Sequence, residues 1–149
     1  MWLPERSGAQ QTGLLDFQGA YMGPAPYDLI NLLEDARRRV PTAIKQECLK
    51  KFTDSLPHDE RESFMAWYPV LACQFHGRVI GQAIKLAVRD NKTRLLDLIP
   101  ILRQHMVDDL KHPVLAPLKS WFSAQNVDFS QNIPIDSIKT AAFIGDDAF

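Results

Sequence analysis

The sequence has few cysteines, no glycine-rich phosphate loop, no long apolar run and no surplus of one charge. Each shortage excludes a class of function. The two cysteines, Cys48 and Cys73, form no spaced framework, so a disulfide-stapled fold is excluded and free thiols in a reducing cytoplasm are expected. No apolar stretch approaches the roughly 18 residues of a membrane span, and the opening MWLPERSGAQ lacks the apolar core of a leader peptide. A formal net charge of −1 provides no basic field for nucleic acid. Trp2, Trp67 and Trp121 are too scattered for a base-stacking platform. The short run Arg37, Arg38, Arg39 reads as the solvated last turn of a helix.

What is present suits one domain: 149 residues, of which 46% are apolar and 23% charged. Residues 1–17 predict a β-hairpin, with apolar MWL and TGLLDF flanking the turn-like ERSGAQQ. GAYMGPAP is too rich in glycine and proline for regular structure. Helical spacing then begins, with Leu29, Leu32, Leu33, Ala36 and Val40 on one face and Pro41 as the stop. A second helix fits residues 42–55, with Thr42 as its cap. The ladder Phe64, Tyr68, Leu71, Phe75, Val79, Ala83 predicts a long helix, kinked or split at Pro69. A further helix bent at Pro100 and a last one over residues 114–125 follow, then a weakly periodic tail over 126–149. The expected fold is mainly α with an N-terminal β-hairpin.

Asp16 carries the most chemistry. It follows the apolar Gly13, Leu14, Leu15 and precedes Phe17. A carboxylate at a buried strand end suits a magnesium ligand near nucleotide phosphates; a turn aspartate satisfying nearby amides is the other reading. Asp28 falls in a first helical turn, where the dipole favours it, and reads as a brace accepting backbone N–H groups from a neighbouring catalytic loop. Glu34 and Asp35 are adjacent and so point about 100° apart on a helix. That argues against a general acid/base pair and for pairing with Arg38 or Arg39. Together with Gln74 they remain candidates for substrate contact. Cys73 and His76 have a spacing that can seat a metal, but an apolar stripe surrounds them and they read as core. His105 and His112 lack partners at ligand spacing.

Taken whole, GLLDFQGAYMGPAPYDLINLLEDARRRVP resembles the aminoglycoside phosphotransferase-like kinases, most of all the bacterial anomeric amino-sugar kinases. LACQFHGRVIGQAIKLAVRDNK and HPVLAPLKSWF are similar to the C-terminal helices of that family. Gln18 stands where kinases usually have glycine, and Phe75 where relatives often have arginine. The resemblance implies the C-lobe of the protein-kinase-like fold over residues 1–125, ATP and Mg²⁺ as cofactors, and a hydroxyl acceptor such as an amino sugar. It makes Asp16 the metal ligand and Asp28 the brace. It also implies that the catalytic loop and the N-lobe, the natural packing partner, lie upstream of Met1, so that this chain alone is inactive. A non-catalytic helical remnant or interaction module is the alternative.

Overall fold

The computed structural model describes residues 1–15, 18, 20–132 and 134–144. Six α-helices are present among them: α1 (Pro26–Leu33), α2 (Thr42–Asp54), α3 (His58–Asp90), α4 (Ile99–Asp109), α5 (Ala116–Ala124) and α6 (Ser137–Ile144).

The expected N-terminal β-hairpin is not there. The described residues contain no strand, only an isolated antiparallel bridge between Trp2 and Thr12. Leu3 N donates to Gln11 O at 2.8 Å, Gly13 N to Met1 O at 2.8 Å and the Met1 amine to Gly13 O at 2.9 Å, and the pairing stops there. Residues 8–11 tighten into a 3-10 turn, so the next hydrogen-bonded pair, residues 5 and 9, is not made. Leu14 and Leu15 are exposed, with no packed face to reward a ladder.

α1 is shorter than its apolar spacing suggests. Glu34 N closes the last turn on Ile30 O, after which Asp35 Oδ1 accepts from Arg37 N at 2.9 Å. That side-chain bond offers the backbone a turn in place of another helical one. α2 keeps its expected span, with Pro41 rather than Thr42 in the cap position.

α3 runs through Pro69 as one helix of 33 residues, about 50 Å long at 1.5 Å per residue. Phe64, Tyr68 and Ala72 are buried on either side of the proline in one cluster with Ile30 and Phe75, which holds the turns together across the missing hydrogen bond. Asn91 ends the helix at φ 55°. Pro100 acts at a start instead of in an interior: Thr93–Leu98 is a 3-10 helix, and α4 begins with the proline in its first turn, where no N–H is needed.

A second cluster, Cys73, Ile80, Leu102, Met106, Leu110 and Leu115, joins α3 to α4 and the 3-10 turn Pro113–Leu115. The tail folds back. Arg103 donates to Phe129 O at 2.9 Å, Ser130 O at 2.8 Å and Asn132 Oδ1 at 2.7 Å, and α6 packs on α3.

Candidate functional site

The end of α1, the middle of α3 and the C-terminal half of α4 bring charged side chains together inside the fold. Glu34 is 3% exposed and His76 is fully buried. Glu34 Oε1 accepts from the Tyr68 hydroxyl at 2.7 Å and pairs with Lys45 Nζ at 2.7 Å. His76 Nδ1 lies 2.6 Å from Asp109 Oδ2, and its Nε2 lies 3.3 Å from Glu34 Oε2. The His105 ring stacks on that of His76 at 4.6 Å.

Burial and partners pull these groups in opposite directions. Burial alone would raise the Glu34 carboxyl, but hydrogen bonds from Lys45 and Tyr68, with the charges of Lys45 and His76, leave it below the ordinary glutamate value. Asp109 is raised, since burial outweighs its bond to His76. His105 is lowered, by burial first and then by the positive charge of His76. Burial also pushes the Cys73 thiol up to about 11, so it behaves as a small apolar core residue.

A groove of about 290 Å³ opens between the turn after α1 and the faces of α3 and α4. Asn31, Asp35, Arg37, Arg78 and Gln82 supply its polar groups over an apolar floor that includes Phe75 and Leu102. The Asp35 carboxylate binds Arg37 through Nε and Nη2, both at 2.9 Å, and that hydrogen bond first of all holds it below the usual aspartate value. Arg78 reaches the Tyr27 hydroxyl at 3.2 Å and lies over the Phe75 ring.

The residues singled out from the sequence are thus dispersed. Asp16, expected to hold the metal, lies outside the described residues. Asp28 is exposed in the first turn of α1. Glu34 is in the buried cluster and Asp35 in the groove, and neither takes the arginine expected: Glu34 pairs with Lys45, Asp35 with Arg37. Gln74 is exposed beside a different groove with Val70, Gly77 and Leu118. His112 caps its own 3-10 turn, accepting from Val114 N at 3.3 Å. The cluster of Glu34, His76, His105 and Asp109 is what the sequence reading missed. Its trace is periodic: Tyr68 and His76 lie eight apart and His105 and Asp109 four apart, so each pair shares a helix face that is otherwise apolar.

Comparison with known proteins gives the sequence a relationship. Over 122 residues, 82% of its length, the chain is 39% identical to the N-acetylmuramate/N-acetylglucosamine kinase of Caulobacter vibrioides, of which it covers 34%. It is 34% identical over 94 residues to the kinases of the same description from Neisseria meningitidis and Pseudomonas putida, covering 28% of each. The chain is a relative of these kinases. It spans about a third of their length. No family model matches the chain, and no solved structure matches it. Among the described residues no helix is long and apolar enough to cross a membrane, as in the expectation from sequence.

Proposed function

We propose that the chain is the C-terminal part of an ATP-dependent amino-sugar kinase of the cytoplasm, which moves the γ-phosphoryl group of ATP to a sugar hydroxyl. The observation that carries this reading is the 39% identity over 122 residues to an N-acetylmuramate/N-acetylglucosamine kinase. Phosphoryl transfer of this kind asks a protein for positioning and charge neutralisation more than for covalent chemistry. Asp16 offers a hard carboxylate oxygen, the donor class that Mg²⁺ takes, and the ion would offset charge developing on the phosphoryl oxygens. Asp28, exposed at the start of α1, has a carboxylate open to the backbone donors of a catalytic loop.

The groove beside Asp35 suits a hydroxyl-rich acceptor, with polar side chains set over an apolar floor. Glu34 supports it from beneath, as the buried neighbour of Asp35, and Gln74 is left as a contact on the other groove. The N-lobe is the packing partner. Trp2, Leu14, Leu15, Tyr21 and Met22 are all more than half exposed along the irregular N-terminal segment, an apolar surface of the kind that marks a missing contact.

The test is an ATP-dependent phosphorylation assay of the chain joined to the upstream catalytic portion, against N-acetylmuramate, N-acetylglucosamine and other hydroxyl acceptors. Turnover is expected from the joined protein and none from the 149-residue chain alone. Asp16→Asn is expected to abolish turnover while leaving the far-ultraviolet circular dichroism unchanged. Turnover by the isolated chain overturns the division of the site, and retained turnover in Asp16→Asn overturns the metal assignment.

A further inference from the structure

The two oxygens of Glu34 have different surroundings. Oε1 is taken up by Lys45 and Tyr68, each at 2.7 Å. Oε2 instead faces two imidazole nitrogens, His76 Nε2 at 3.3 Å and His105 Nδ1 at 3.9 Å. The tautomer of His76 follows from its other side. An ionised carboxylate can only accept, so Nδ1 donates to Asp109 Oδ2 at 2.6 Å. The neutral ring then has an unprotonated Nε2, and that atom is buried without a hydrogen-bond partner among the described residues. A ring lone pair and a carboxylate lone pair would face each other across 3.3 Å. That arrangement repels unless a cation lies between them. A proton on Nε2, the charged form of the ring, would relieve the repulsion but leave a buried N–H without a hydrogen-bond partner, since the contact to Oε2 does not meet hydrogen-bond geometry.

We propose that Glu34 Oε2, His76 Nε2 and His105 Nδ1 bind a divalent transition-metal ion of the Zn²⁺ class. The three atoms lie within 4.8 Å of one another. Two imidazoles and one carboxylate form a donor set that zinc takes with water in a fourth position, whereas Mg²⁺ and Ca²⁺ prefer oxygen throughout. The outer partners fit as well. A ligating histidine generally donates its second nitrogen to a carboxylate, as His76 does to Asp109, and a ligating carboxylate is itself hydrogen-bonded, as Glu34 is by Lys45 and Tyr68.

The rings of His76 and His105 are within 13° of parallel. A nitrogen lone pair lies in its ring plane, so seating the ion turns the His105 ring toward Glu34. His105 is the ligand with room to turn and the point of entry, with 26% of its side chain exposed against 0% for His76. The ion ties the turn after α1 to α3 and α4 as a structural clamp. The site shares Glu34 with the support of the acceptor groove but rests on these distances and not on the kinase reading.

The experiment strips the 149-residue chain with a chelator and adds Zn²⁺, Co²⁺ or Mg²⁺ alone, reading the thermal midpoint and, for Co²⁺, the visible spectrum. One Zn²⁺ per chain is expected to raise the midpoint, because a ligand that binds only the folded state stabilises it by mass action. Co²⁺ should give visible bands of a low-coordinate site, and Mg²⁺ should give no shift. His105→Gln and Glu34→Gln should each weaken Zn²⁺ binding by at least about tenfold, as loss of a contributing group does, and should remove the Co²⁺ bands. His112→Gln, at an exposed histidine outside the cluster, should change neither. If Glu34→Gln does not fold, the partly exposed His105→Gln still decides. Absence of Zn²⁺ stabilisation, or unchanged affinity in His105→Gln, overturns the proposal.

Discussion

Tyr68 shows how far one buried polar atom depends on another. Its hydroxyl donates to Glu34 at 2.7 Å, and burial, followed by the Glu34 charge, raises its pKa. Tyr68→Phe would keep the ring packing against Phe64 and delete that bond. A hydrogen bond to a charged group contributes on the order of 2 kcal/mol. The variant should therefore unfold at lower urea concentration with an unchanged slope; an unchanged midpoint would mean that Lys45 alone satisfies the carboxylate. This is also the scale at which the sequence was least legible. Beside Asp35, Glu34 reads from sequence as a partner for Arg38 or Arg39 or a contact for substrate. Its burial is decided by Lys45 from α2 and Tyr68 and His76 from α3, which no local rule brings together. His105 and Asp109 were obscured for the same reason, since their partners lie on another helix.

At the scale of elements the sequence was easier to read where periodicity and packing agree. α2 lies within one residue of its expected bounds, and the ladder from Phe64 to Ala83 became the middle of α3. Expectation failed where a single side chain or ring intervened. Asp35 ends α1 by capturing the Arg37 amide, although Ala36 and Val40 continue the apolar spacing. Pro69 is carried through α3 because the burial around it outweighs the lost bond, whereas Pro100 divides a 3-10 turn from α4. The hairpin expected over residues 1–17 failed for want of a surface to cover. α3 also holds a position where propensity can be tested without disturbing the core. Gly81 lies within the helix, and an added Cβ would meet nothing within 4 Å. Gly81→Ala should stabilise the chain by about 1 kcal/mol, read as a higher urea midpoint. A neutral or destabilising result would mean that this part of α3 is not helical in solution.

At the scale of the whole molecule, the unpartnered apolar residues at the N-terminal end set the behaviour in solution. Tyr21 and Met22 are almost wholly exposed, and Leu14 is 83% exposed. The isolated chain should bind a hydrophobic dye and self-associate as its concentration rises, and joining it to the proposed upstream portion should suppress both. Light scattering coupled to size exclusion would check this; a dye-silent monomer at high concentration would argue against a missing packing partner. The mainly helical architecture agrees with the expectation from sequence, whereas the hairpin expected in front of it is absent among the described residues. One feature of the architecture bears on how this chain can vary. α1, α2, α4, α6 and the 3-10 turns around α4 all touch α3, whose buried positions are fixed by residue count. Inserting a single residue at an exposed site such as Gln74 would rotate everything beyond it by about 100°, swinging His76, Ile80, Ala83 and Ala87 off their partners together. Side chains along this helix can be exchanged one at a time, but its length is open to change only at the two ends.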